Sequence, residues 1–286
     1  MDKKEDRVTL RRLLALYGVY ARMDLAWLLR DKAYAALSIL ADAVSNIASV
    51  SGVFLLAWRF KGIGGMSEWE VLFMLAYSTL FTGVFVTFCA SGNTGHVSRL
   101  IGRGQLEHMF MQPLPLYAQL LTAGFIPFTG SSGIFVGAGL MIAALSRMQV
   151  ALAWWWVFAL VGSLFVSLGI LLGVIYLFSA TAFYAPVQAE EIATDVDEAF
   201  SYISTFPLSG MPRGVQTALV TAVPAGLLVW YPSLALLHKT PLGLSPLLPL
   251  FVCCALWAVT LYFFRKGLNY YVRKGINRYS AKGHRR

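Results

Sequence analysis

Apolar residues in this chain run in long charge-free blocks, not in the narrow periodic stripes of a soluble core. A helix rises ~1.5 Å per residue, so about 20 apolar residues cross the ~30 Å hydrocarbon layer of a bilayer. Blocks of that length run from about Ala33 to Trp58, from about Val71 to Ser91 and from Tyr117 to Leu145. A fourth begins near Val150, a fifth lies between Arg213 and His238, and a sixth ends at Phe264. The pattern predicts an all-α membrane protein with six transmembrane helices, because backbone in lipid must satisfy its hydrogen bonds within the segment. An even number of crossings puts both termini on one side.

Several stretches depart from that pattern. Between Val8 and Arg30, leucine and tyrosine clusters alternate with Arg11, Arg12, Arg22 and Arg30. This predicts an interfacial (elbow) helix within residues 1–32, lying along the inner leaflet with its cations at the headgroups, ahead of a transmembrane domain over 33–264. The fourth block has no charge from Arg147 to Glu190. One straight helix over it would be ~60 Å long, so it either protrudes or breaks at Ala185–Pro186, where proline disfavours helix in the residue before it. Beyond that point Glu191, Asp195 and Glu198 fall on one helical stripe, with Ile192, Val196 and Phe200 off it. We read a short amphipathic helix on the cytoplasmic face, either solvated or facing a basic partner. Pro232, Pro241, Pro246 and Pro249 crowd the stretch before the last span, which predicts a bent or re-entrant segment or a loop at the outer rim. The pairs Gly133/Gly137 and Gly169/Gly173 have the spacing that brings membrane helices close.

Composition agrees with the pattern. Hydrophobic residues make up 58% and charged ones 13%, against about a quarter charged in a soluble domain. Of the 23 Lys and Arg, nineteen fall in the N-terminal segment, the loop after the second block, the stretch before the fifth and the basic tail 265–286. Only Arg59, Lys61, Arg147 and Lys239 fall on the other face. The positive-inside rule therefore predicts cytoplasmic termini. The net charge of +9 is met by anionic headgroups and calls for no nucleic acid. Cys89, Cys253 and Cys254 lie in apolar runs without metal-ligand spacing, and we read them as small hydrophobes. No removable signal peptide is expected from the N-terminus MDKKEDR.

Candidate chemistry is sparse. Asp42 stands inside the first block with Asn46 one turn on. A carboxylate at membrane depth faces protein or water, which leaves two readings: the lining of a translocation path, or an interhelical hydrogen bond. His96, His108, His238 and His284 are scattered, and no GxSxG, HExxH or P-loop sequence occurs. No catalytic residue, metal or cofactor is assigned to this chain; if ATP powers it, ATP and Mg belong to another subunit.

The loop after the second block reads SRLIGRGQLEHMFMQPLPLY. Its core, Gly104-Gln105-Leu106-Glu107 followed by Pro113-Leu114-Pro115, resembles the G-(E/Q)-L-(D/E)…P-L segment of ABC-2-type transporter permeases. A second stretch, with Phe206-Pro207, Ser209, Pro212, Pro224 and Tyr231-Pro232, resembles the fifth-span region of one bacterial branch of these permeases. Phe110 and Met111 stand where that family commonly has leucines, and Gln112 where a basic residue often precedes the proline. The resemblance implies an ABC-2 (type V exporter-like) architecture and the permease subunit of an ATP-driven export system in a bacterial inner membrane. It implies an ABC ATPase partner and a second permease, identical or paralogous. The loop at about 92–116 would form the coupling helix that docks on the ATPase, with Arg99, Arg103, Gly104, Gln105, Leu106, Glu107, Pro113, Leu114 and Pro115 as its residues. Three alternatives remain from the residues alone. One is an ion- or proton-coupled secondary transporter using Asp42, which would need repeat symmetry that the two halves lack. Another is an intramembrane enzyme, which would need paired reactive side chains at membrane depth. The last is a non-transporting assembly or immunity factor on the same fold.

Overall fold

The structure, a computed structural model, describes residues 10–90, 100–101, 105–122, 124–148, 153–239 and 241–274. Among them it is helical, with no strand beyond an isolated bridge between Ile63 and Met66. Helix α1 (Leu10–Arg30) is the expected amphipathic segment, and α2 (Lys32–Arg59) follows after Asp31, whose side chain caps it by accepting from the Tyr34 amide at 3.0 Å. Only Ala35, Val50 and Ala57 of α2 are buried, so the chain itself covers little of this helix.

Helix α3 (Glu68–Phe85) starts in a capping box of Ser67 and Glu70 and ends in a π-helical turn, Val86–Ala90. It is apolar all round and buried all round, which makes it the axis of the bundle. The third apolar block, expected as one helix over Tyr117–Leu145, is instead divided. A short α5 (Leu116–Thr122) is followed by a turn through Gly124, Pro127 and Gly130, and α6 (Ser132–Met148) then runs antiparallel to α3. Gly124 at φ 152° and Pro127, which has no amide hydrogen, break the helix where no charge announces it. Gly83 and Gly133 meet backbone to backbone, and a Cβ on Gly137 would lie 2.5 Å from the Leu80 amide. At the far end the Arg147 guanidinium sits 5.6 Å over the Trp69 ring.

Helix α7 (Trp156–Ser179) ends in a 3-10 turn, Ala180–Phe183. The fourth block then breaks at Ala185, and Pro186 opens α8 (Pro186–Ser204) from its first turn. Helix α11 (Leu248–Lys274) continues well past the expected end at Phe264 and packs along α7. The Trp257 indole and Thr260 hydroxyl donate to the carbonyls of Gly169 and Gly173 at 2.8 and 2.9 Å. Both glycine pairs read from sequence thus lie at helix contacts.

Two placements correct the sequence reading. The chain leaving α8 reaches Gly210, whose backbone lies against Gly64 in the turn between α2 and α3. Pro186, at the other end of α8, adjoins the C-terminus of α7. The acidic helix therefore runs the length of the bundle, ~28 Å for its 19 residues, and does not lie flat across one end. The apolar stretch after it is not a straight fifth span. Helix α9 (Arg213–Thr221) and the segment Pro224–Leu236, which includes a 3-10 turn and α10 (Trp230–Leu236), are bent by 79°. Both ends lie at the Gly64 end: the Trp230 indole donates to the Ser209 hydroxyl at 2.8 Å, the Trp156 indole to the Leu236 carbonyl at 3.1 Å, and Lys239 pairs with Glu70 at 2.7 Å. The two ends of the segment therefore lie at the same end of the bundle, with the bend between them. Arg213 accordingly joins Arg59, Lys61, Arg147 and Lys239, and the basic excess still favours the opposite end.

Four helices, Lys32–Arg59, Glu68–Cys89, Trp156–Phe183 and Leu248–Lys274, are long and apolar enough to cross a membrane, and the bent pair would make a fifth. Helix α6 is apolar but shorter, at 17 residues. Of the N-terminal segment and the basic tail, residues 1–9 and 275–286 lie outside the described residues.

Candidate functional site

The segment after α3 carries the strongest local sequence signal. Arg99, Arg103 and Gly104 lie outside the described residues; Gln105, Leu106, Glu107, Pro113, Leu114 and Pro115 lie within them. Gln105–Phe110 forms a short helix, α4. Its inner face is fixed to the bundle. Leu106 is 1% exposed, in a cluster with Ile101, Ala182, Phe183, Ala189 and Tyr271. Beside it, the Tyr271 hydroxyl donates to Glu107 Oε1 at 2.6 Å, a short bond to a carboxylate. These contacts tie α4 to the ends of α7 and α11 and the start of α8.

The outer face is open. Gln105, His108, Phe110, Met111, Gln112 and Pro113 are exposed, Met111 at 76%. Phe110 and Met111, two bulky apolar side chains held from behind, form an exposed knob at the tip. The turn after the knob is braced by Gln119, a buried side chain on α5 that donates to the carbonyls of Met109 and Leu114 at 2.9 and 2.8 Å. Pro113 and Leu114 also meet α1, where they share a shallow groove with Arg12, Leu16 and Val19. Sequence alone identified the segment but not Gln119 or Tyr271, since neither stands in a motif.

Asp42 and Asn46 do come together. They line an open cleft of about 420 Å³ at the start of α6, with Trp27 of α1, Ser38 and Ser45 of α2 and Thr82 of α3. The Asn46 side-chain amide donates to the Asp42 backbone carbonyl at 2.9 Å, which holds the asparagine against its own helix. Behind the cleft a second carboxylate, Asp24, is buried at 7% exposure and accepts from the Phe128 amide (2.8 Å), the Thr129 amide (3.2 Å) and the Thr129 hydroxyl (2.7 Å). It pins α1 to the turn that breaks the third block. The only sequence signal for it was an acid within an arginine-rich amphipathic helix.

A comparison with family descriptions matches residues 44–275, from within α2 to the end of α11, to the family described as ABC-2 family transporter protein. No curated protein and no solved structure matches the chain.

Proposed function

The chain belongs to the ABC-2 family of transporter proteins, and from that premise we propose that it is the permease subunit of an ATP-driven exporter in a bacterial cytoplasmic membrane. In this reading the ATPase is a separate subunit that holds ATP and Mg, and α4 is the coupling helix that docks in its groove. The observation that carries the reading is the two-sided build of α4: Leu106 and Glu107 locked to the bundle, Phe110 and Met111 offered outward. A rigid lever needs both faces. Force applied at the knob passes to α7, α8 and α11 without deforming the helix.

The end-to-end course of α8 supports six crossings, by α2, α3, α6, α7, α8 and α11, with α9 and α10 as the re-entrant element in the outer half. The termini and α4 then share the cytoplasmic side. A second permease is supported by the surfaces that one copy leaves bare. The outer side of α2 is unburied, and Glu191, Asp195 and Glu198 on α8 are exposed at bundle depth. Carboxylates there cannot face lipid without a cost of about 2.5–3.5 kcal/mol each on insertion scales, so they face water or protein. Two permeases enclosing a polar path between them answer both surfaces.

The test is co-purification from the native host in mild detergent, comparing wild type with Met111→Asp, an exposed substitution that spares the buried face. The proposal expects an ATPase in the wild-type eluate and its loss from the variant. A permease that purifies intact with no ATPase activity refutes it.

A further inference from the structure

Four of the long helices carry no basic residue between their ends, although α11 carries Arg265 and Lys266. Apart from its terminal Lys32 and Arg59, α2 carries no Lys or Arg, and neither do α3, α7 or α8; Asp42, Glu191, Asp195 and Glu198 are all acidic. The Asp42 cleft concentrates this bias. Asp42 is the one charged residue among the described residues lining it, and the rest of the wall sets the Trp27 indole and polar side chains such as Ser45, Asn46, Thr82 and Ser132 among Val86, Ile126 and glycine backbone.

We propose that this cleft binds the positively charged head of an organic cation, an ammonium or its equivalent. Each part of the wall suits that group. Asp42 supplies the counter-charge at the open face of the cleft. Trp27 offers the ring that attracts a cation best among the aromatic side chains. The serine and threonine hydroxyls accept hydrogen bonds from N–H groups or solvate a quaternary centre. An anion would meet the unpaired Asp42 charge, and a neutral polar solute would leave it unneutralised. The cleft is open, so the apolar body of an amphiphile can stay in the surrounding lipid while its head enters. The same chemistry has two sources: a soluble or membrane-dissolved organic cation, or the ammonium of a zwitterionic lipid. The inference rests on the membrane placement proposed above but on no ATPase, so binding and ATPase partnership succeed or fail separately.

The experiment places the full-length chain in phosphatidylglycerol nanodiscs and measures binding of labelled tetraphenylphosphonium, with empty nanodiscs subtracted. Tetraphenylborate, nearly the same shape with opposite charge, serves as the mirror probe. The proposal expects saturable binding of the cation alone, roughly tenfold weaker in Asp42→Asn, weakened in Trp27→Leu and retained in Asp42→Glu. The two-probe comparison on the wild-type chain needs no variant to fold. Equal binding of both probes, or an Asp42→Asn chain that binds like wild type, overturns the site. Phosphatidylethanolamine added to the discs then separates the sources. Competition by it identifies the lipid ammonium, and unchanged affinity identifies a non-lipid cation; both results require that the wild-type site binds.

Discussion

The Tyr271 hydroxyl reaches 2.6 Å to the carboxylate of Glu107, and this bond joins the last long helix to the short one that follows α3. The two residues are far apart in sequence, and their contact sits beside a closed apolar cluster built on Leu106 and Phe183. A hydrogen bond to a charged group is worth about 1.5–3 kcal/mol. That is enough to hold a six-residue helix in one orientation.

Tyr271→Phe removes the donor and keeps the ring in the cluster. We expect a loss of about 1.5–3 kcal/mol in stability. The larger effect falls on coupling: ATP hydrolysis by the assembled complex continues while transport per ATP falls. Side-by-side ATPase and transport assays in proteoliposomes check this, and unchanged transport per ATP would show that the bond transmits nothing.

Asp24→Ala strips the acceptor from two amides and one hydroxyl at once. Unsatisfied buried donors cost about 1–3 kcal/mol each before relaxation. We expect a melting temperature in detergent lower than wild type by several degrees, with Asp24→Asn in between because its carbonyl oxygen still accepts. An alanine variant as stable as wild type would mean that the loop holds its own turn.

Gly137 faces α3 across a gap with no room for a side chain, whereas nothing lies within 4 Å of where a Cβ on Gly139 would sit. Gly137→Leu should cost at least the ~1–3 kcal/mol of an overpacked core and reduce the folded yield, while Gly139→Leu should be tolerated. Thermal stability of the two purified variants decides the point; equal behaviour contradicts the α3–α6 contact.

The course of α8 predicts the accessibility of its ends. In a chain whose three native cysteines are replaced by serine, Arg213→Cys should react with an impermeant maleimide from outside intact cells. His108→Cys should react only after the membrane is opened. Reaction of both from the same side rules out α8 as a crossing.

Much of this arrangement is written in charge-free length. The blocks that became α2, α3, α7 and α11 were legible because burial in lipid demands long apolar runs, and the break at Ala185–Pro186 because proline excludes helix before it. Other features were hidden by the same rule. Helix α8 carries Glu191, Asp195 and Glu198, so its sequence reads as a surface helix and gives no sign that it runs between the two ends of the bundle. The segment from Arg213 to His238 is apolar, yet it bends by 79° between Thr221 and Pro224. The break in the third block leaves no charge behind, only Gly124, Pro127 and Gly130. In the segment after α3 the order Gly-Gln-Leu-Glu points to a helix but not to its orientation. Which face turns inward depends on Tyr271, Phe183 and Ala189, all distant in sequence.

The most direct test of the account is a photoreactive benzoylphenylalanine placed at Met111 in the native host, with a second chain carrying it at Leu106. The account predicts an ultraviolet-dependent adduct between position 111 and an ATP-binding subunit, and none at position 106, which faces the permease's own core. No ATP-binding adduct at 111, or equal adducts at both positions, would contradict the claim that the exposed tip of α4 is where an ATPase drives this protein.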